Sequence, residues 1–292
     1  METWVYFAVF AAFFQNIRSV IQKNLLHQLD VLASSYVRFL YALPICIVVS
    51  SILQIMTGVE VPTVNFKFAL FSILGGTAQV FATVLLIYLF TLKKFAVGGA
   101  FKKTEALISV GIGFLILQDT VSLYGFFAIL TGILGIMMLS KTRLDEGFIN
   151  AGSLVGLLCG LMFSFSAVFY RGATLALDFG EFYLRAIVTL NYVLLYQALF
   201  FGLILFFYNR GILLSALHHW RTGWLAGLSG LLASFGWFSA MNLAHVSYVK
   251  AVGQIELLFA IGAGFIFFKE TLSLKEFLGI FLIGLSIVLL IL

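Results

Sequence analysis

An all-α integral membrane protein is the fold class this sequence predicts, and three observations carry the prediction. Of 292 residues, 62% are hydrophobic and 10% charged, with a mean hydropathy of +1.12, outside the range of soluble domains. The apolar residues form continuous runs rather than a period-two alternation, which favours spanning helices over a β-barrel. Connections between the runs are short, so no soluble catalytic domain fits between them.

A span needs about 20 mostly apolar residues, and that ruler marks out ten segments. The first, Trp4 to Ile21, has no basic stretch ahead of it and reads as a permanent span rather than a cleaved signal. Ala33 to Met56 and Phe66 to Leu92 follow as uninterrupted runs. The fourth, Phe95 to Leu117, is interrupted by "KKTE", and the fifth is Val121 to Leu139. Ala151 to Tyr170, Phe182 to Tyr208 and Gly223 to Leu243 form the next three, and only "AHVSY" separates the last from the ninth, Val246 to Phe268. Ser273 to Leu292 completes the set.

The chain repeats itself. A shift of 151 positions lays Phe101–Leu130 on Val252–Phe281 with ten identities in thirty. Chance matches in so apolar a chain would fall on Leu, Ile and Phe. Five of the ten are instead Glu105/Glu256, Gly111/Gly262, Gly113/Gly264, Thr120/Thr271 and Ser122/Ser273, which argues for duplication. A four-residue adjustment aligns "SYVRFL" around Arg38 with "FYLRAI" around Arg185. The units are residues 1–143 and 148–292, with five spans each. An odd number forces the second unit into the membrane upside down, so two inverted five-helix repeats are expected, the arrangement of many alternating-access transporters.

The blocks "TEALISVGIGFLILQDTVSLYGFFAILTGILGIMML" and "IELLFAIGAGFIFFKETLSLKEFLGIFLIGLSIVLL" resemble the drug/metabolite transporter superfamily, in its ten-helix branch of duplicated EamA-type domains. Both have an acidic residue, small and apolar residues, Gly-Phe, a "D/E-T-x-S" turn and a Gly-containing final helix. Arg38 and Arg185 match an Arg often found early in the second helix of each half. The resemblance spans nearly the whole chain and implies a secondary transporter of a small organic metabolite such as an amino acid or drug-like solute. It also implies a multi-pass protein of the bacterial cytoplasmic membrane, working without ATP or cofactor. In place of the family's frequent Pro after the acidic residue stand Ala106 and Leu257. The four-helix multidrug relatives use a Glu in the first helix, and "FAAFFQNIRS" has none.

Charges inside a span cost about 2.5 to 3.5 kcal/mol each on insertion scales and so need partners or water. Glu105 lies about 15 Å along its helix at 1.5 Å per residue, near the bilayer midplane, and Glu256 is equally deep. Lys102 and Glu105 are three apart and can pair on one helical face. In the second half the lysines become Gly253 and Gln254, so Glu256 lacks that neighbour. Pairing with Lys102 or Lys103 across the halves would satisfy it, as would protonation or a cationic substrate. The candidate site is a wet cavity between the halves containing Glu256, Glu105, Lys102 and Lys103. Gln15, Asn16, Arg18, Gln79 and Gln254 are further lining candidates, each also explicable as a helix–helix hydrogen bond. Tyr88, Trp237 and Tyr248 are candidate aromatic walls. Gly152, Gly156 and Gly160 recur every fourth residue on one face, a ridge suited to close helix packing.

Other chemistries lack support. Cys46 and Cys159 sit inside apolar runs as small hydrophobes, and His27, His218, His219 and His245 fall at span ends without metal-ligand spacing. No P-loop, HExxH or GxSxG motif is present. The net charge of +5 is scattered among connections, as expected of flanks that orient helices and not of a nucleic-acid surface. Nine basic residues fall opposite the N-terminus and three beside it, which places the termini outside, whereas the resemblance implies a cytoplasmic placement. Either way the termini share one side. The partners expected are a small-molecule substrate and the bilayer. The competing readings are a non-transporting scaffold or lipid-interacting subunit and, behind it, a membrane enzyme.

Overall fold

In the computed structural model the described residues are 2–58, 62–105, 108, 123–140, 151–244, 249–250 and 252–289. Among them every regular element is a helix. These are α1 (Thr3–Leu25), α2 (Val31–Thr57), α3 (Phe66–Leu92), α4 (Phe95–Lys102), α5 (Leu123–Ser140), α6 (Ala151–Leu175), α7 (Phe182–Tyr208), α8 (Arg210–His218), α9 (Trp220–Leu243), α10 (Ile255–Phe268) and α11 (Leu274–Leu289). Six, namely α1, α2, α3, α6, α7 and α9, are long and apolar enough to cross a membrane. Large apolar side chains such as Ile55, Phe66 and Phe207 stand exposed on the outside, as a hydrocarbon solvent requires.

Local chemistry sets the helix ends. The Asp30 carboxylate accepts the Ala33 N–H at 2.7 Å and starts α2, and the Asn65 side chain does the same for α3 from Phe68 N–H at 2.8 Å. Gly58 closes α2 at φ 64°, a left-handed conformation that glycine adopts without penalty. The "ETLS" turn before α11 is a reciprocal capping box. Ser273 N–H donates to the Glu276 carboxylate at 2.7 Å while Glu276 N–H donates to Ser273 Oγ at 3.3 Å. Its sequence counterpart, residues 119–122, lies outside the described residues.

Two of the ten expected spans differ. The fourth does not continue as a regular helix, because α4 ends at Lys102 and a turn at Lys103 follows. Past Glu105 the rest of that expected span, apart from Ile108, is outside the described residues. The ninth is not one helix from Val246 either. Lys250 and Val252 are helical, a turn occupies Gly253–Gln254, and α10 begins at Ile255. At both turns the peptide N–H groups bond three residues back, Lys103 to Ala100 O at 3.0 Å and Leu257 to Gln254 O at 2.8 Å, which tightens the chain and ends the regular ladder. The two breaks fall on equivalent positions, 103 and 254 under the 151-residue shift, with no proline at either. The short α8 is an additional element ahead of the eighth span.

The packing maps onto itself when the halves are exchanged. Helix α1 packs on α9 and α3 on α6, which become each other under the exchange, while α2 packs on α7, α4 on α10 and α5 on α11, each on its own counterpart. Gly99 faces Ala260 while Ala96 faces Gly264, so α4 and α10 run antiparallel. Tyr36 OH donates to Ala198 O and Ser50 Oγ accepts from Asn191, so α2 and α7 do too. The largest buried apolar cluster joins α1, α2, α7 and α9 around residues such as Phe39, Leu190 and Phe238. The broken helices α4 and α10 meet beside it.

Candidate functional site

The glycine ridge of α6 allows the site to form. A methyl group at Gly156 would stand 2.7 Å from the Phe101 ring, and one at Gly160 would collide with Thr104 Oγ1 and come within 3.2 Å of the Glu105 nitrogen. With no side chains in the way, α4 and the residues after it lie against α6, and its charged end faces the second half of the chain. The expected ridge is thus a seat for the charged segment.

From there Lys102 and Lys103 reach the same carboxylate. Lys102 Nζ is 2.8 Å from Glu256 Oε1 and Lys103 Nζ is 2.7 Å from Glu256 Oε2. Glu256 lies in the first turn of α10, where the helix dipole favours a negative charge. Lys103 also donates at 2.8 Å to the Gly253 carbonyl, which accepts the Glu256 N–H at 3.2 Å as well, so the ammonium that neutralises the acid also bonds the backbone of the helix break. Gln15 completes the chain: its amide nitrogen donates to both Glu256 oxygens at 3.3 and 3.2 Å, and its oxygen accepts from the Trp237 indole at 2.9 Å. Lys102 and Lys103 are 1% exposed, Glu105 3% and Glu256 6%, so these charges are enclosed and matched by partners.

Lys102 and Glu105 do not pair with each other through the ion-pair contacts seen here. Glu105 takes Lys250 at 2.9 Å. All three ion pairs therefore join one half of the chain to the other, since tertiary approach outcompetes the three-residue spacing along α4.

Beside this network is a cavity of about 40 Å³ bordered by Arg38, Lys102, Glu105, Tyr170, Trp237 and Lys250. Of the expected site residues, Gln15, Gln79, Lys102, Glu105 and Trp237 line it, and Lys103 and Glu256 lie directly behind Lys102 and Gln15. Gln254 is not part of the wall; its amide donates to Lys250 O at 3.0 Å within its own turn. Arg18 is not part of it either. It is buried next to Arg38 over Gly230, where a Cβ would stand 3.3 Å from Arg18 Cδ and 3.8 Å from Arg38 Cβ. Asn16 donates to the Phe259 carbonyl at 3.1 Å as a helix–helix bond. Tyr88 is 43% exposed and faces outward, and Tyr248 is outside the described residues. A larger cavity, about 250 Å³ between α2 and α7, has polar groups such as Gln54 and Asn191 but no charged residue in its wall.

Lys250, Tyr170 and Gln197 also line the cavity without being candidates from sequence, and Arg38, a family mark in the sequence, lines it too. Lys250 carried a signal of its own, as a lone ammonium in "SYVKAVGQ" within an expected span. Tyr170 and Gln197 carried none, being joined by a 3.0 Å hydrogen bond between helices that only the fold brings together. Arg185 is half-buried and does not reach the cavity, unlike Arg38 at 3% exposure; the sequence match between the two arginines is not a match of position.

Comparison with known proteins follows the same division of the chain. A family model described as the EamA-like transporter family matches twice, over residues 2–141 and 150–292. A solved crystal structure superposes with a TM-score of 0.61, covering 95% of this chain and 95% of that one at 14% identity, a likeness of fold. No curated protein matches.

Proposed function

Because the chain belongs to the EamA-like transporter family and is therefore a multi-pass membrane protein, we propose that it carries a small organic metabolite across the membrane by alternating access. The two family matches are read as inverted repeats, residues 1–143 and 148–292, which rock about the charged cluster at their junction. The antiparallel courses of α2 against α7 and of α4 against α10 support that reading. So do the helix breaks at equivalent positions, a form in which transporters present charge and free backbone groups to a midplane site.

The observation that carries the proposal is the clamp of Glu256 by Lys102 and Lys103 across the halves, next to a cavity of about 40 Å³. That volume holds a water molecule or two and is too small for a metabolite. A solute enters when the halves part, and parting them disturbs the ion pairs that hold them. Glu256, Glu105, Lys102, Lys103, Lys250 and Arg38 are assigned to binding or coupling. An exchanger, in which bound solute stands in for broken ion pairs, fits this geometry without a proton.

The test is flux. Proteoliposomes containing the purified chain are loaded with an isotopically labelled metabolite extract, and release is compared with protein-free vesicles. Wild type is expected to release a defined subset. Glu256→Gln, purified as a monodisperse protein, is expected to release none of it. Equal retention by wild-type and protein-free vesicles removes the transport reading and favours a scaffold; wild-type flux from Glu256→Gln removes the site assignment.

A further inference from the structure

We infer that the solute taken by this site is an organic anion carrying at least two negative charges, as carboxylate or phosphate, an inference that rests on the transport reading above. Among the described residues the central cluster holds five cations, Arg18, Arg38, Lys102, Lys103 and Lys250, and two carboxylates, Glu105 and Glu256. The three lysines share the two acids, which leaves one ammonium charge in excess. Neither arginine has a carboxylate within ion-pair distance among the described residues. Arg18, 1% exposed, has Nε and Nη2 buried without a hydrogen-bond partner. Arg38, 3% exposed, donates from Nη1 to the Thr83 hydroxyl at 3.1 Å and lies over the Phe39 ring at 4.7 Å.

Buried charge without an opposite charge is costly, and proteins pair it or use it. Two of the three excess charges are guanidinium groups, which stay protonated, so they cannot escape the cost by losing a proton. They sit side by side over Gly230, and Arg38 borders the cavity next to Lys102 and Lys250. An anion entering between the halves meets three cations on the wall and supplies the missing charge. A cation would add to an excess of three positive charges. The planar fork of Arg38 suits the paired oxygens of carboxylate or phosphate, and the rings of Tyr170 and Trp237 accept the solute's carbon frame.

The experiment measures the thermal unfolding of the purified full chain in detergent with citrate, succinate, phosphoenolpyruvate or glucose 6-phosphate. Putrescine, arginine and glucose are the comparison set, and sodium chloride matches the ionic strength. At least one of the four anions is expected to raise the melting temperature by about 5 °C at saturation, while the comparison set and the salt do not. Arg38→Gln is expected to lose that rise while melting within a few degrees of wild type without ligand. Stabilisation by putrescine or arginine instead, or by none of the four anions, overturns the inference whatever the variant does. Flux separates the two readings. An anion that stabilises the protein but is not carried into proteoliposomes refutes transport and leaves the anion site standing. Saturable flux of a cation or of glucose refutes the anion class and leaves transport standing.

Discussion

Glu256 shows what one residue position can and cannot disclose. The duplication singled it out, because a shared Glu among chance-level Leu and Phe matches is conspicuous, and depth along the helix marked it as expensive. The sequence leaves its partner open among Lys102 or Lys103 across the halves, a proton and a cationic substrate, and spacing along one helix suggests Lys102 with Glu105; the folded chain gives both lysines to Glu256 and Lys250 to Glu105. Long-range approach decides the pairing, and a lysine whose importance depends on a carboxylate 145 residues away is invisible to local rules. The energetics are testable. Glu256→Leu leaves two buried ammonium groups unmatched and is expected to cost about 3 to 5 kcal/mol of stability. The triple variant Lys102→Met, Lys103→Met, Glu256→Leu replaces the whole cluster with apolar groups. Denaturation in detergent is expected to place it within about 2 kcal/mol of wild type, with no flux in proteoliposomes. A triple variant as unstable as Glu256→Leu alone would mean that the cluster holds the fold rather than the function.

At the scale of elements, apolar runs located the helices well: α3 and α7 match the expected limits, and α1, α2, α6 and α9 extend only a few residues beyond them. The runs could not reveal the breaks at Lys103 and Gly253–Gln254. Hydropathy records what a segment is made of, and a turn inside a membrane costs little where its carbonyls find other donors, as Gly253 O does in the Glu256 N–H and Lys103. The seat of α4 on α6 gives a prediction at this scale. Gly160→Ala puts a methyl group into Thr104 and is expected to cost about 1 to 3 kcal/mol through overpacking, read as a lowered melting temperature. Combining it with Thr104→Ala removes the colliding hydroxyl and is expected to recover part of the loss. A Gly160→Ala protein that melts with wild type would show that the ridge yields freely.

For the molecule as a whole, two further ion pairs gather at one end of the bundle. Lys23 in the last turn of α1 pairs with Glu270 beyond α10, and Glu270 also accepts the Phe95 N–H at 2.7 Å. Lys94, ahead of α4, pairs with Glu276 at 2.7 Å and donates to the Thr271 carbonyl at 2.7 Å. Both join the halves, and both are partly exposed and so open to screening by salt. They are expected to act as a latch across that end. With Cys46 and Cys159 replaced by Ala and a single Cys in place of Ser166 at the cavity, Glu270→Gln with Glu276→Gln is expected to speed maleimide labelling from the latched end several-fold. An unchanged rate would show that the ion pairs do not hold the halves together there.

Such a latch is expected to make the two faces of the membrane unequal. Under the 151-residue offset Lys94 corresponds to His245 and Glu276 to Gly125, so the Lys94–Glu276 pair has no lysine–carboxylate counterpart in the sequence. On the alternating-access proposal, inward- and outward-open forms are then expected to differ in free energy even with identical solutions on both sides. Half-saturating concentrations measured from the two faces of one vesicle should then differ, a built-in polarity that owes nothing to any gradient.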